Sequence, residues 1–174
     1  MIGYSSHVII SSRSPRLNRA VASAFALIIS SSVGAIAGVP SPLAPEDFVA
    51  GSVSELMTPD KIREKLGPPE SVMRSPDPLD RSAELITWRY AGLDVDLANE
   101  SSVRGITLTD PRYKTSRGLR VGDRPSKITK LYGKPSNKYK SAWDYQAADN
   151  ELHVMRVKVE ASRVKWIYLG WLHD

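Results

Sequence analysis

The chain has 174 residues, 41% of them hydrophobic and 25% charged, which suits one globular domain, or two small ones sharing a core, and excludes disorder along its whole length. Its formal charge of +5 is concentrated at the amino terminus, where residues 1–37 hold Arg13, Arg16 and Arg19 and no acid; setting those three aside leaves 21 basic against 19 acidic side chains. A remainder so nearly balanced gives little long-range steering and does not point to nucleic acid as a partner. The absence of cysteine excludes a disulfide framework, a thiolate metal site, a cysteine nucleophile and a lipid-modified terminal cysteine.

Residues 1–37 read as a cleavable signal peptide. The three arginines form a basic stretch, Ala24-Phe25-Ala26-Leu27-Ile28-Ile29 an apolar centre, and Ala35-Ile36-Ala37 the small-x-small pattern a signal peptidase accepts. The apolar run is shorter than the roughly 20 residues a spanning helix needs, and Ser30, Ser31 and Ser32 dilute it. The expectation is a periplasmic or secreted protein with no stable membrane insertion after the segment is removed. Residues 38–54, with Pro40, Pro42 and Pro45, read as a flexible lead-in.

A short helix is expected next, with Thr58 as its cap, Pro59 in the first position and Asp60 complementing the helix dipole. Ile62 and Leu66 share its apolar face, and Gly67 and Pro69 end it. A second helix is expected with Asp123 as its cap and Pro125 in its first turn, Ile128, Leu131 and Tyr132 as its apolar face, and Gly133 and Pro135 as its stop. Alternating apolar and polar residues predict strands over 85–90, 93–97 and 103–109, then over 141–146, 152–159 and 164–171. Gly92, Asn99-Glu100-Ser101-Ser102, Asp149-Asn150 and Ala161-Ser162 supply the turns.

The helices align with Ile62 on Ile128, Gly67 on Gly133 and Pro69 on Pro135, and the following strands open Trp88-Arg89-Tyr90 and Trp143-Asp144-Tyr145. These matched blocks, in one order, predict an internal duplication. The expected fold is α+β: tandem repeats over 55–113 and 114–174, each a short helix followed by an antiparallel meander, with the helices packed on one sheet face.

The run Gly118-Leu119-Arg120-Val121-Gly122-Asp123, continuing to Gly133-Lys134-Pro135, resembles the repeat of proteins with the β-lactamase-inhibitor-protein-like fold, a broad group that includes the outer-membrane-assembly lipoproteins of the SmpA/OmlA family. The likeness spans roughly residues 55–174. The first half lacks the Gly-x-x-x-Gly-Asp lead into its helix, and the chain lacks the cysteine that the lipoproteins acylate. The resemblance implies binding rather than chemistry: the inhibitors lay a concave sheet over an enzyme, and the lipoproteins contact a partner at the outer membrane. The residues that carry it, Gly118, Gly122, Asp123, Gly133 and Pro135, shape backbone and hold no reacting group.

Catalysis finds little support in the residues. Beyond residue 37 the histidines are His153, in an expected strand, and His173, at the end of the sequence given. With Asp149 and Asp174 they lack any spacing diagnostic of a metal site. Asp94 and Asp96 share the polar face of one strand, opposite Leu93, Val95 and Leu97, and read as a solvated face. Asn99-Glu100-Ser101 fits a glycosylation sequon in a turn, and no phosphate-cradling loop is present. No enzyme activity, metal or cofactor is expected.

The aromatic residues of the last strand are the better lead. Trp166, Tyr168 and Trp171 stand where the first half has Gly105, Thr107 and Pro111. Pairing of Val159 with Val164 would put Trp166 and Tyr168 on the core face with Met155 and Val157. A slip of one residue would instead put them on the outer face with Arg156 and Lys158. That second arrangement, extended by Tyr139, makes a basic and aromatic binding surface. The expected function is non-catalytic binding of another protein or an envelope component through the sheet face. Inhibition of a secreted hydrolase, or small-molecule or metal binding in the periplasm, are the alternatives.

Overall fold

Alternation of apolar and polar residues makes a strand that can cover a core on one face and meet water on the other. The computed structural model describes residues 42–172 except Leu79, Arg81 and Asp149; the expected signal segment, His173 and Asp174 lie outside the described residues. A 3₁₀ turn at Pro45–Asp47 leads into a hairpin of β1 (Val49–Ala50) and β2 (Val53–Ser54), then α1 (Pro59–Leu66), β3 (Ser71–Pro76), β4 (Glu84–Tyr90), β5 (Leu93–Ala98) and β6 (Ser102–Leu108). After these come α2 (Pro125–Tyr132), β7 (Asn137–Lys138), β8 (Ala142–Gln146), β9 (His153–Glu160) and β10 (Arg163–Trp171). Strands β3 to β10 form one antiparallel sheet in the order β3-β4-β5-β6-β10-β9-β8-β7, so the fold is α+β.

One row of cross-strand partners shows where the core lies. Val72, Trp88, Val95, Ile106, Leu169, Met155 and Tyr145 are successive partners from β3 to β8, and all but Val72 are buried. Both helices pack on that face. Ile62 of α1 and Ile128 of α2 are fully buried in the same core, each contributing about 1.5–3 kcal/mol by leaving water. The Arg63 guanidinium lies 4.2 Å above the Trp88 ring, and Tyr132 meets Tyr145 at 5.7 Å between ring centres. The Tyr90 and Tyr145 hydroxyls donate to the carbonyls of Gly67 and Gly133, satisfying acceptors at the helix ends.

Gly67 (φ +79°) and Gly133 (φ +75°) hold the left-handed conformation that stops each helix, with Pro69 and Pro135 just beyond. The helix starts differ from expectation. Thr58 occupies the cap position of α1, but its side chain makes no capping bond. For α2 the cap position is Arg124. Asp123 instead accepts from the Arg120 amide at 2.8 Å and pairs with Lys127, closing the turn at Gly122 rather than the helix.

The lead-in is a larger correction. Leu43, Phe48, Ala50 and Val53 are buried, and the Leu43 amide bonds the Gln146 carbonyl at 2.9 Å. Asp47, also buried, accepts from Arg117 Nε at 2.7 Å and receives Nη2 on its other oxygen. Residues 43–54 therefore close one end of the core; Pro45, Gly51 and the two serines interrupt four buried apolar residues too irregularly spaced to register as a helix or strand. The strands β3 and β7 are additions at the two sheet edges.

Candidate functional site

The face opposite the helices is set by a second row: Arg89, Asp94, Thr107, Tyr168, Arg156, Asp144 and Asn137 are successive partners from β4 to β7. Val159 does pair with Val164, the arrangement that would have sent the aromatic side chains to the core. A β-bulge at Lys165 then shifts the ladder, so that Trp166 opposes Lys158 and Tyr168 opposes Arg156. The extra residue changes parity within one strand: Val164 and Ile167 both stay buried, and Trp166 and Tyr168 turn to the open face.

Trp166, Tyr168 and Arg156, with Thr107 of the neighbouring β6 and Thr109 just beyond it, line a shallow depression of about 320 Å³ that runs toward the end of β10. Its floor is rigid. The Tyr168 ring lies across Gly105 and Gly170, where a methyl group on Gly105 would come within 2.6 Å of the ring. The Tyr168 hydroxyl donates to the Trp171 carbonyl at 2.6 Å. Burial, aided by the nearby Asp96 and Glu55 charges, holds the Tyr168 phenol above its ordinary range, so it stays protonated and is no base at neutral pH.

Arg156 is fixed by a two-point bond to Asp144, Nε and Nη2 each donating at 2.7 Å. Those hydrogen bonds raise its pKa against the desolvation that opposes them. Its side chain keeps 30% exposure, and Nη1 has no hydrogen bond among the described residues, leaving two donors for a partner. Lys158 pairs loosely with Glu160 at 3.3 Å. Tyr139, 58% exposed in the turn between β7 and β8, lies close enough to Arg156 for its phenol to influence the guanidinium. Asp94 sits half-buried beside Arg89, and burial lifts its carboxyl above the usual range.

The structure thus brings together Trp166, Tyr168, Arg156 and Lys158, with Tyr139 near Arg156. It separates Trp171, whose ring stacks on His153 at 4.7 Å on the helix-covered side, while the strand end alone borders the depression. Gly118 (φ +88°) and Gly122 (φ +86°) shape the approach to α2 and stand apart from the open face. Asp144, Thr107 and Thr109 were not singled out from the sequence. Asp144 was legible as a polar position between Trp143 and Tyr145, and its charge is opposite to that of Arg156, its direct partner on β9.

The arrangement can hold a flat or apolar group on two aromatic side chains and meet an acceptor with a fixed guanidinium. It sets no nucleophile beside a base. Among the described residues no group of side chains could hold a metal ion, and no helix is long and apolar enough to cross a membrane. A scan against protein-family models and searches of curated proteins and of solved structures found no match to this chain.

Proposed function

We propose that this chain is an exported, non-catalytic binding protein that engages another protein, or a component of the cell envelope, through its open sheet face. The observation that carries the reading is the grouping of Trp166 and Tyr168 with Arg156 and Lys158 on a face that no helix covers among the described residues, around a depression whose floor is fixed by hydrogen bonds. Such surfaces give aromatic side chains contact area at little entropic cost and a pre-oriented guanidinium for a carboxylate or carbonyl. The arginines and apolar run of residues 1–37 support export to the periplasm or the medium.

The same reading takes the two halves as descendants of one unit. In its favour, each half runs helix, then four strands, each helix stops on a left-handed glycine, and each half ends on a central strand. This order is also what the likeness to the β-lactamase-inhibitor-protein-like fold implies, where a sheet surface covers a partner.

The test is capture of partners by the tagged chain expressed in its own host, compared with Trp166→Ala and Arg156→Ala variants of unchanged melting temperature. A saturable partner that both variants lose supports the reading. A partner retained by both moves binding off this face. Recovery of the chain only from the cytoplasm, with residues 1–37 intact, overturns the export.

A further inference from the structure

On the helix-covered side, a cavity of about 520 Å³ opens between the amino-terminal segment and the end of the sheet, bordered by Leu43, Phe48, Glu55, Leu56, Val103 and Trp171, with His153 at its base. Its volume lies in the range of small-molecule sites. The His153 ring is clasped between Phe48, at 3.6 Å, and Trp171, at 4.7 Å. His153 Nε2 meets Glu55 Oε2 at 2.7 Å, which orients the carboxylate from across the sheet. The other oxygen, Oε1, is buried and has no hydrogen-bond partner among the described residues.

A buried carboxylate oxygen without a donor is costly, and native folds keep such groups where something else completes them. Arg104, which also borders the cavity, bonds the fully buried Asp77 through Nη2 at 3.3 Å, and its own buried Nε has no hydrogen-bond partner among the described residues. The remaining walls are mostly aromatic and aliphatic, with Ser54 and Ser102 among them, and Leu56 stands at the rim almost fully exposed. Aromatic faces accept a cation, and aliphatic walls accept the apolar body behind it.

We propose that this cavity binds a small primary amine, whose ammonium donates to the Glu55 carboxylate and whose apolar body lies against Phe48, Leu56 and Trp171. The site is separate from the open face and stands or falls independently of the reading given to that face.

The test is calorimetric titration of the full chain with phenethylamine, and with phenethyl alcohol as the neutral analogue of the same shape. Saturable binding of the amine is expected, weakened about tenfold or more for the alcohol and, for the amine, in Glu55→Gln, in line with loss of a charge-assisted hydrogen bond. Leu56→Arg, a change at an exposed position that the fold tolerates, adds a like charge at the rim and weakens the amine in the same direction. Equal affinity for amine and alcohol, no saturable binding of the amine at millimolar concentration, or indifference to both substitutions overturns the proposal.

Discussion

Replacing Gly105 by alanine tests the strand register on which the open face depends. The added methyl would sit 2.6 Å from Tyr168 Cε2 and 2.7 Å from its hydroxyl oxygen. Carbon contacts relax only at about 3.5 Å, so the ring must move by roughly 1 Å. That movement breaks the 2.6 Å bond to the Trp171 carbonyl, a net loss of about 1 kcal/mol. Overpacking adds about 1–3 kcal/mol, for a total of about 2–4 kcal/mol. Chemical denaturation with an unchanged slope reads the loss, and a cycle with Tyr168→Ala isolates its cause. Once the ring is gone, the same alanine should cost less than about 1 kcal/mol, because extended backbone at 105 accepts a side chain. An equal cost in both backgrounds would mean that the Tyr168 ring does not lie over Gly105, and the pairing of β10 with β6 would have to be redrawn.

Asp47→Ala leaves the Arg117 guanidinium without its buried partner and should destabilise the fold by about 3 kcal/mol in urea titrations; a change below 0.5 kcal/mol would return residues 43–54 to a loose segment. Ile128→Ala empties a fully buried site under α2 and should cost about 2–5 kcal/mol by thermal melting. Deleting the exposed Lys165 removes the bulge yet keeps Val164 and Ile167 inward and Trp166 outward, so the protein should fold with an unchanged tryptophan emission maximum. Tyr132, Tyr145 and Tyr168 are held above the ordinary phenol range by burial, so the folded state keeps those protons longer than the unfolded chain. Their contribution is complete below about pH 10 and lost above it at about 1.4 kcal/mol per pH unit per retained proton; melting scans from neutral to alkaline pH read the decline, and a flat profile refutes it.

How much of this was legible in the residues depends on periodicity. Leu93-Asp94-Val95-Asp96-Leu97 alternates without a break, and the strand it predicts is β5 within one residue. Gly67 and Gly133 announced both helix ends because only glycine takes that backbone shape at little cost. Strand β3 went unread: every residue from Ser71 to Pro76 is exposed, so no apolar face marks it, and only pairing with β4 makes it a strand. The hairpin of β1 and β2 was hidden because its two-residue strands are too short to show a period. The bulge left a trace, since Val164 and Ile167 are three apart and no regular strand buries both. Recognising it requires knowing that both face inward, which depends on partners distant in the chain. The Glu55 and His153 pairing spans 98 positions and left no local signal at all.

The seam between β6 and β10 has a consequence for how the molecule reaches its native state. Gly105 and Gly170 are neighbours there, although 65 positions of chain separate them, whereas the other pairings of the sheet join strands adjacent in sequence. The two meanders can form early from local contacts, but the central ladder must await a loop closure that is slow. Until it closes, β6 offers an unpaired edge with Val103, Ile106 and Leu108 on one side, an invitation to intermolecular pairing. Aggregation during refolding should therefore track the arrival of β10, and a chain shortened before Arg163 would keep that edge open permanently.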